Sequence, residues 1–592
     1  MMADSEQEIR LVGVAGSPGI CIGKAYLIDT DSTGVEVVEK YLINKDNVSS
    51  EKNRFKTAVK NAKDELTRII EEMPADLREH VHILETHKVL FKDKMLYGKS
   101  LDTIEKEQVN AEWALKKVVS SVKAMFRDID DPYIKGRATD IVHVSDRIMR
   151  HLLGTTDSVI KKIDKRVILV AHDLSPADTS QIQLDKIKGF ITDKGGRTSH
   201  TAIIAKTLDI PSVLGLDSAT GVIKNDDIII VDGETGIVIV NPSEETLVRY
   251  QNRQEAYYAY KTDIVKASHL PAETLDGTRL ELLGNIELLA EIDPVQEYGG
   301  DGIGLFRTEF LYLSRRDFPH EDELFAQYTQ VVQSMGDKPV TIRTLDINGD
   351  KAIANRDIED EANPALGLRA IRFCLKRPDI FSTQLRAILR AAAFGNVKIM
   401  FPMISSCEET AEAIAQLDKA AESLKKDGLE YNRDIEVGIM IEVPSTVIIA
   451  DKLADMVDFF SIGTNDLVQY SLAIDRGNRK VAHLFQSIHP AIIRMIKHVV
   501  GTAREKNVDV VMCGEMAGIP VNLPILLGLG MRSLSMNPPS LPIIKSAIRS
   551  LRLDESEEFM KDVLAETTSA GISALVHERF GHIFAKTFEN NR

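Results

Sequence analysis

Cysteine is scarce in this chain. Four residues (Cys21, Cys374, Cys407, Cys513) are scattered through 592, with no metal-ligand spacing between them. That excludes a disulfide-stapled scaffold and a cysteine-based metal module, and it points to a reducing compartment. Long apolar runs are missing too, and no stretch approaches the roughly 18 apolar residues that cross a bilayer. The opening residues, MMADSEQEIRLVGVAGSPG, lack the basic-then-apolar order of a secretory signal. A cytoplasmic location away from the membrane is therefore expected. Positive charge is in deficit, with a formal net charge of −16. With no basic stripe interleaved with aromatics, nucleic acid is not an expected partner. No GxxxxGK[ST] loop marks a nucleotide site. What is there is an ordinary globular composition, 44% hydrophobic and 27% charged. The length calls for three or four domains.

Residues 10–28 read as short strands joined by glycine turns. From about 46 to 153 glycine and proline thin out, and segments such as EKNRFKTAVKNAKDELTRIIEEM carry apolar residues at helical spacing. Beyond 165 short β-branched runs return (RVILVA, GFIT, IPSVLG, DIIIVDG, GIVIV) around one helical segment, TAIIAKTL. The pattern predicts a compact α/β domain into which a helical block is inserted. A long charged helix follows, to about Pro271. Eight further apolar runs then alternate with helical stretches: LELLGNI, GIGLFRTEF, VTIRTLDI, VKIMFPM, EVGIMIEVP, DFFSIGTND, DVVMCGEMA and MRSLSMN. Eight such units predict a closed (β/α)₈ barrel, whose functional side chains gather where the strands end. The expected divisions are 1–28 and 155–241 for the α/β domain, 29–154 for the helical block, 242–271 for the linker helix and 272–592 for the barrel.

The polar residues of the barrel obey that rule. Arg307, Arg343, Asp346, Glu442, Asn465, Asp466, Cys513 and Glu515 close or follow strands, and Arg369, Arg372 and Arg476 stand in the loops or helix starts beyond them. Arginine forks suit a small ligand bearing carboxylate and phosphate, and Glu442 with Asp466 would suit magnesium. Any one of these residues taken alone could equally be a structural ion pair, and Glu515, Asp346 and Arg372 read as supporting partners. Cys513 reads alone as a small buried hydrophobe, though it stands at the rim. Gly195-Gly196-Arg197-Thr198-Ser199-His200 lies between a strand and a helix start, where free N–H groups favour an anion. His200 there suits a phosphoryl carrier, the alternative being a residue that merely caps the turn.

GGRTSH resembles the signature of enzymes that move phosphate from phosphoenolpyruvate through a phosphohistidine. GLFRTEF, VGIMIEVP, FFSIGTNDLVQYSLAIDRGN and MCGEMAG resemble the barrel motifs of the same family, in the same order and nearly end to end. Length argues against the dikinase branch, which adds a nucleotide-binding domain. The SPG segment at residue 17 fits the sugar type of bacterial phosphotransferase-system enzyme I better than the nitrogen type. The resemblance implies a phosphohistidine α/β domain, an inserted helical domain that docks the phosphocarrier HPr, and a phosphoenolpyruvate-binding barrel that forms a homodimer. It implies His200 as nucleophile with Thr179 as its hydrogen-bond partner. Arg307, Arg343, Arg369, Asn465 and Arg476 would hold phosphoenolpyruvate, Glu442 and Asp466 magnesium, and Cys513 would protonate the enolate. The phosphohistidine domain would then move between barrel and carrier. Two stretches depart from the family pattern. Ile347-Asn348-Gly349-Asp350-Lys351 replaces the usual IGGDK, and Leu84–Lys94 (LETHKVLFKDK) is more basic than the acidic stretch expected of the docking surface. A slow regulatory phosphoprotein with the same rim is the competing reading.

Overall fold

The computed structural model describes residues 8–28, 39–71, 81–127, 132–154, 163, 165–179, 182, 185–196, 200–208, 210–312, 317–347, 363–475 and 481–584. It divides into two compact units that meet in sequence at Tyr260 and Lys261.

The first unit is built on one mixed sheet. Its strands are β1 (Ile9–Val12), β2 (Val14–Ser17), β3 (Ile20–Ile28), β4 (Val167–Ala171), β5 (Ile187–Thr192), β6 (Ser212–Leu214), β7 (Ile228–Asp232) and β8 (Ile237–Val240). They lie in the order β1-β8-β7-β3-β4-β5-β6-β2. The central run β3-β4-β5-β6 is parallel, and the flanking pairs are antiparallel. Residues of β4 alternate between two cores: Leu169 and Ala171 face one, Ile168 and Val170 the other. A strand covered on both faces must be apolar throughout, which is why VILVA shows no polar alternation.

The chain leaves this sheet after β3 and returns at β4. Between them come α1 (Val48–Glu71), α2 (Val81–Leu90), α3 (Lys99–Glu107), α4 (Ala111–Arg127) and α5 (Pro132–Leu153). Phe55, Leu66, Leu84, Phe91, Leu115 and Ile148 pack into their shared core. That core also takes in Ala177 and Ile204. These belong to α6 (Pro176–Thr179) and α7 (His200–Thr207), the two short helices that carry Thr179 and His200. The helical block is thus seated against the elements that bear the histidine.

After a short α8 (Ala219–Val222) comes a long charged α9 (Glu244–Lys266), within which the second unit begins at Lys261. Its strands are β9 (Glu281–Ile286), β10 (Gly302–Arg307), β11 (Val340–Arg343), β12 (Val397–Phe401), β13 (Glu436–Ile441), β14 (Phe459–Ile462), β15 (Asp509–Met512) and β16 (Ser533–Met536). They close a barrel in which each pairs in parallel with the next, and β16 with β9. Every one of the eight apolar runs forms a strand. Leu305, Met400, Met440, Phe459 and Cys513 form a buried cluster apart from the main core. Among the described residues, no helix is long and apolar enough to cross a membrane.

Candidate active site

Parallel strands in a closed barrel all end on one rim, so residues far apart in sequence meet there. Arg343 ends β11 and is 9% exposed. Its guanidinium donates to Glu309 at 2.9 Å and lies 3.4 Å from Asp346. Burial opposes its charge, but Glu309, Asp346 and Glu442 around it overcome that and keep it firmly protonated. Arg369, at the start of the helix Ala370–Lys376, donates to the same Asp346 at 2.8 and 3.2 Å and to the Tyr470 hydroxyl at 3.1 Å. It also lies 3.8 Å from Asp466. Asp346 therefore ties two arginines together. Burial would raise its pKa, but those two positive charges hold it below the usual carboxylate range. Arg307, at the end of β10, donates to Glu287 and is about one-third exposed.

Glu442, directly after β13, is fully buried. One oxygen accepts from the Met403 N–H at 2.6 Å, and the other is buried without a hydrogen-bond partner. Met403 adopts φ +56°, a region that side-chain-bearing residues seldom take, and there its N–H serves the carboxylate. Burial pushes the Glu442 pKa well up, and the negative charges of Asp466 and Asp346 push it further. A Cβ on Gly463 would come within 2.8 Å of the unpartnered oxygen, so the glycine keeps the space beside it clear. Two neighbouring carboxylates, one with an orphaned oxygen and a raised pKa, fit a hard divalent cation. Asn465 and Asp466 lie in the first turn of the helix Thr464–Leu472. Asn465 exchanges hydrogen bonds with Glu515, donating to its side chain and accepting from its N–H.

Cys513 is 3% exposed. Its sulfur accepts from the Ser461 hydroxyl at 3.1 Å, and its carbonyl accepts from Asn285 at 2.9 Å. Burial pushes the thiol pKa up, so it stays protonated at neutral pH. Such a thiol is a poor nucleophile but can donate a proton. A Cβ on the following residue, Gly514, would run into Thr464, so only glycine lets the Cys513–Glu515 turn lie this close to the neighbouring strand end.

The rim brings together Arg307, Arg343, Arg369, Glu442, Asn465, Asp466 and Cys513, while Arg476 lies outside the described residues. Of the three supporting residues, Asp346 bridges two arginines, Glu515 pairs with Asn465, and Arg372 lies 3.5 Å from Glu409. Sequence reasoning missed Glu287, Glu309 and Tyr470. Glu287 directly follows β9 and Glu309 stands inside FRTEF, so the strand-end rule could have found both. Tyr470 sits two turns into a helix and gives no such signal.

In the first unit, His200 opens α7, and the position of its side chain lies outside the described residues, as do Arg197, Thr198 and Ser199. Gly195 has φ +110°, a backbone turn that a side chain would strain. Thr179 is fully buried and its hydroxyl donates to the Ser175 carbonyl at 3.1 Å. The next residue of α7, Thr201, donates to the Leu174 carbonyl at 3.1 Å, which ties the start of α7 to the segment leading into α6.

Comparison with known proteins covers the chain from end to end. The N-terminal domain of PEP-utilising enzymes matches residues 12–137, the mobile domain 163–236 and the PEP-binding domain 261–553. A phosphoenolpyruvate-protein phosphotransferase of Bacillus sp. (strain S) is 42% identical over 98% of this chain and 100% of its own length. That of Bacillus subtilis (strain 168) is 44% identical over 96% of this chain and all of its own. One from Staphylococcus aureus is 41% identical over 95% of this chain and 98% of its own. With all three domains matched in a single chain and relatives above 40% identical along nearly its whole length, this protein belongs to the PEP-utilising enzyme family, among the relatives named phosphoenolpyruvate-protein phosphotransferase.

Proposed function

We propose that this chain is a phosphoenolpyruvate-protein phosphotransferase of the sugar-type enzyme I class. It takes the phosphoryl group of phosphoenolpyruvate onto His200, releases pyruvate, and passes the group to an HPr-type phosphocarrier as the first step of a sugar phosphotransferase system. The observation that carries this reading is the barrel rim. Arg307, Arg343 and Arg369 stand there beside a buried carboxylate with an unpartnered oxygen, a charge pattern made for a small trianion and its cation.

In the reaction the bond between phosphorus and the enol oxygen breaks as a bond to a His200 ring nitrogen forms. Arg307, Arg343, Arg369 and Arg476 hold the phosphate and carboxylate, with Asn465 as a neutral donor. The enolate left behind takes a proton at its methylene carbon from the Cys513 thiol, giving pyruvate. Glu442 and Asp466 hold magnesium, which when bound neutralises charge on the transferring phosphate. Thr179 orients the histidine. The helical block receives the carrier, the barrel serves as the dimer interface, and the enzyme works in the cytoplasm.

The test is to mix the purified chain with magnesium and ³²P-labelled phosphoenolpyruvate, then add HPr and follow label and pyruvate. Label should appear on the chain, be acid-labile, vanish in His200→Ala and move to HPr as pyruvate is released. Label that stays on the chain would overturn the carrier assignment in favour of a regulatory phosphoprotein. Label that persists in His200→Ala would overturn the nucleophile.

A further inference from the structure

We infer that His87, Asp140 and His143 form a transition-metal site of the kind that takes zinc, set in the helical block where it meets the loop between β4 and α6. One ligand atom from each of the three lies within 4.8 Å of the others. His87 comes from α2, within the LETHKVLFKDK stretch that departs from the expected docking surface. Asp140 and His143 come from α5 and are three residues apart, so one helix face presents both. His87 is 3% exposed, and its Nε2 lies 3.1 Å from an Asp140 oxygen.

The second observation is the state of the His143 ring. Its Nε2 faces Asp173 at 3.6 Å, while its Nδ1 is buried without a hydrogen-bond partner. A buried ring nitrogen left unpaired costs free energy, and a neutral histidine always has one nitrogen free to accept. A ring with one nitrogen turned to a carboxylate and the other open is how proteins hold a metal-ligating histidine, the carboxylate fixing tautomer and orientation. Here Asp173 is that outer carboxylate. Two imidazoles and one carboxylate make a borderline donor set that favours zinc over magnesium or calcium, which prefer oxygen alone. Three protein ligands leave a fourth tetrahedral position for water.

The location gives the site a consequence. Asp173 lies three residues before α6, and α6 carries Thr179. A metal here joins α2 to α5 and, through His143 and Asp173, braces both against the segment to which Thr201 of α7 is hydrogen-bonded. The inference stands independently of the barrel chemistry.

Cobalt is the test ion, because tetrahedral Co²⁺ absorbs visible light where zinc is silent. The full-length chain, stripped with chelator, is titrated with Co²⁺ and back-titrated with Zn²⁺. One equivalent should produce strong visible bands that zinc abolishes. His143→Gln and Asp140→Asn should each remove the bands, and Asp173→Asn should weaken zinc binding by about 10–100-fold. Glu442→Gln should keep them, which separates this site from the barrel carboxylates. Circular dichroism checks that each variant retains its helices. Should His143→Gln fail to fold, Asp140→Asn carries the test on a less buried ligand. A wild-type chain without bands, or bands that survive Asp140→Asn, would reduce the cluster to a buried histidine–carboxylate pair and overturn the inference.

Discussion

Replacing Glu442 with glutamine separates a metal ligand from a structural acid. The side chain is fully buried, with one oxygen bonded to the Met403 N–H and the other unpartnered. Without a cation, burial and the charges of Asp466 and Asp346 all oppose ionisation there, and Arg343 opposes them only in part. Glutamine removes that charge while keeping shape and an acceptor. The variant should therefore unfold, in chelator, no earlier than the parent protein. The cation should reverse the order. A ligand at 100 times its dissociation constant stabilises the folded state by about 2.7 kcal/mol. Over the unit spanning residues 261–589, at roughly 2.1 cal/mol/K per residue, that corresponds to a rise of about 4 °C. The assay is thermal unfolding of the His200→Ala form, which on the proposed mechanism lacks its phosphoryl acceptor, with phosphoenolpyruvate present and magnesium either added or chelated. The parent should gain about 4 °C on adding magnesium, and the Glu442→Gln form less than about 1 °C. A variant that keeps the full magnesium shift would refute the ligand assignment.

Three other outcomes follow, two from the barrel rim and one from the first unit. Asp346→Asn leaves Arg343 and Arg369 without their shared anion; the KM for phosphoenolpyruvate should rise and the barrel should lose about 3–5 kcal/mol by chemical denaturation. An unchanged KM would show that the arginines need no such tether. Cys513→Ala should slow pyruvate release by about 10²–10⁴-fold, the usual worth of a positioned acid, with the fold retained by circular dichroism. Full turnover would remove Cys513 from the reaction. Glu234 has its pKa raised to about 7 by burial and by Asp232 beside it. A carboxyl whose pKa is higher folded than unfolded favours the native state at low pH, and that advantage is lost as pH rises from about 4.5 through 7. Urea unfolding should show first-unit stability falling across that window, and Glu234→Gln should flatten the fall. A slope that Glu234→Gln leaves unchanged would refute the assignment.

Much of the architecture was legible because it is written in local pattern. A parallel strand buried on both faces must be a continuous apolar run, and GIGLF, VTIR, VKIMF and GIMI each became one. Closure into a barrel then placed Arg343, Glu442 and Cys513 on one rim, because every strand in such a barrel ends on the same side. The partners of those residues were less legible. Glu309 reaches Arg343 from 34 residues upstream, and the Tyr470 hydroxyl meets Arg369 from 101 residues downstream. No spacing rule connects side chains that are adjacent only once the barrel has closed. The charge state of Glu442 is of the same kind, since burial and the nearness of Asp466 and Asp346 are properties of the folded rim.

The helical block shows the same division. Its helices are evident from their periodicity, yet the entry of Ala177 and Ile204 into its core depends on how block and sheet pack together. The meeting of His87 with Asp140 across 53 residues depends on it as well. What the sequence by itself determined is the order of strands and helices, the barrel and the family, because backbone propensity, apolar period and motif all act over short spans. What only the tertiary structure decided is which charges are paired and which oxygen and which ring nitrogen are left without a partner. Those are settled by contacts between residues tens to hundreds of positions apart, under a local dielectric that exists only once water has been excluded.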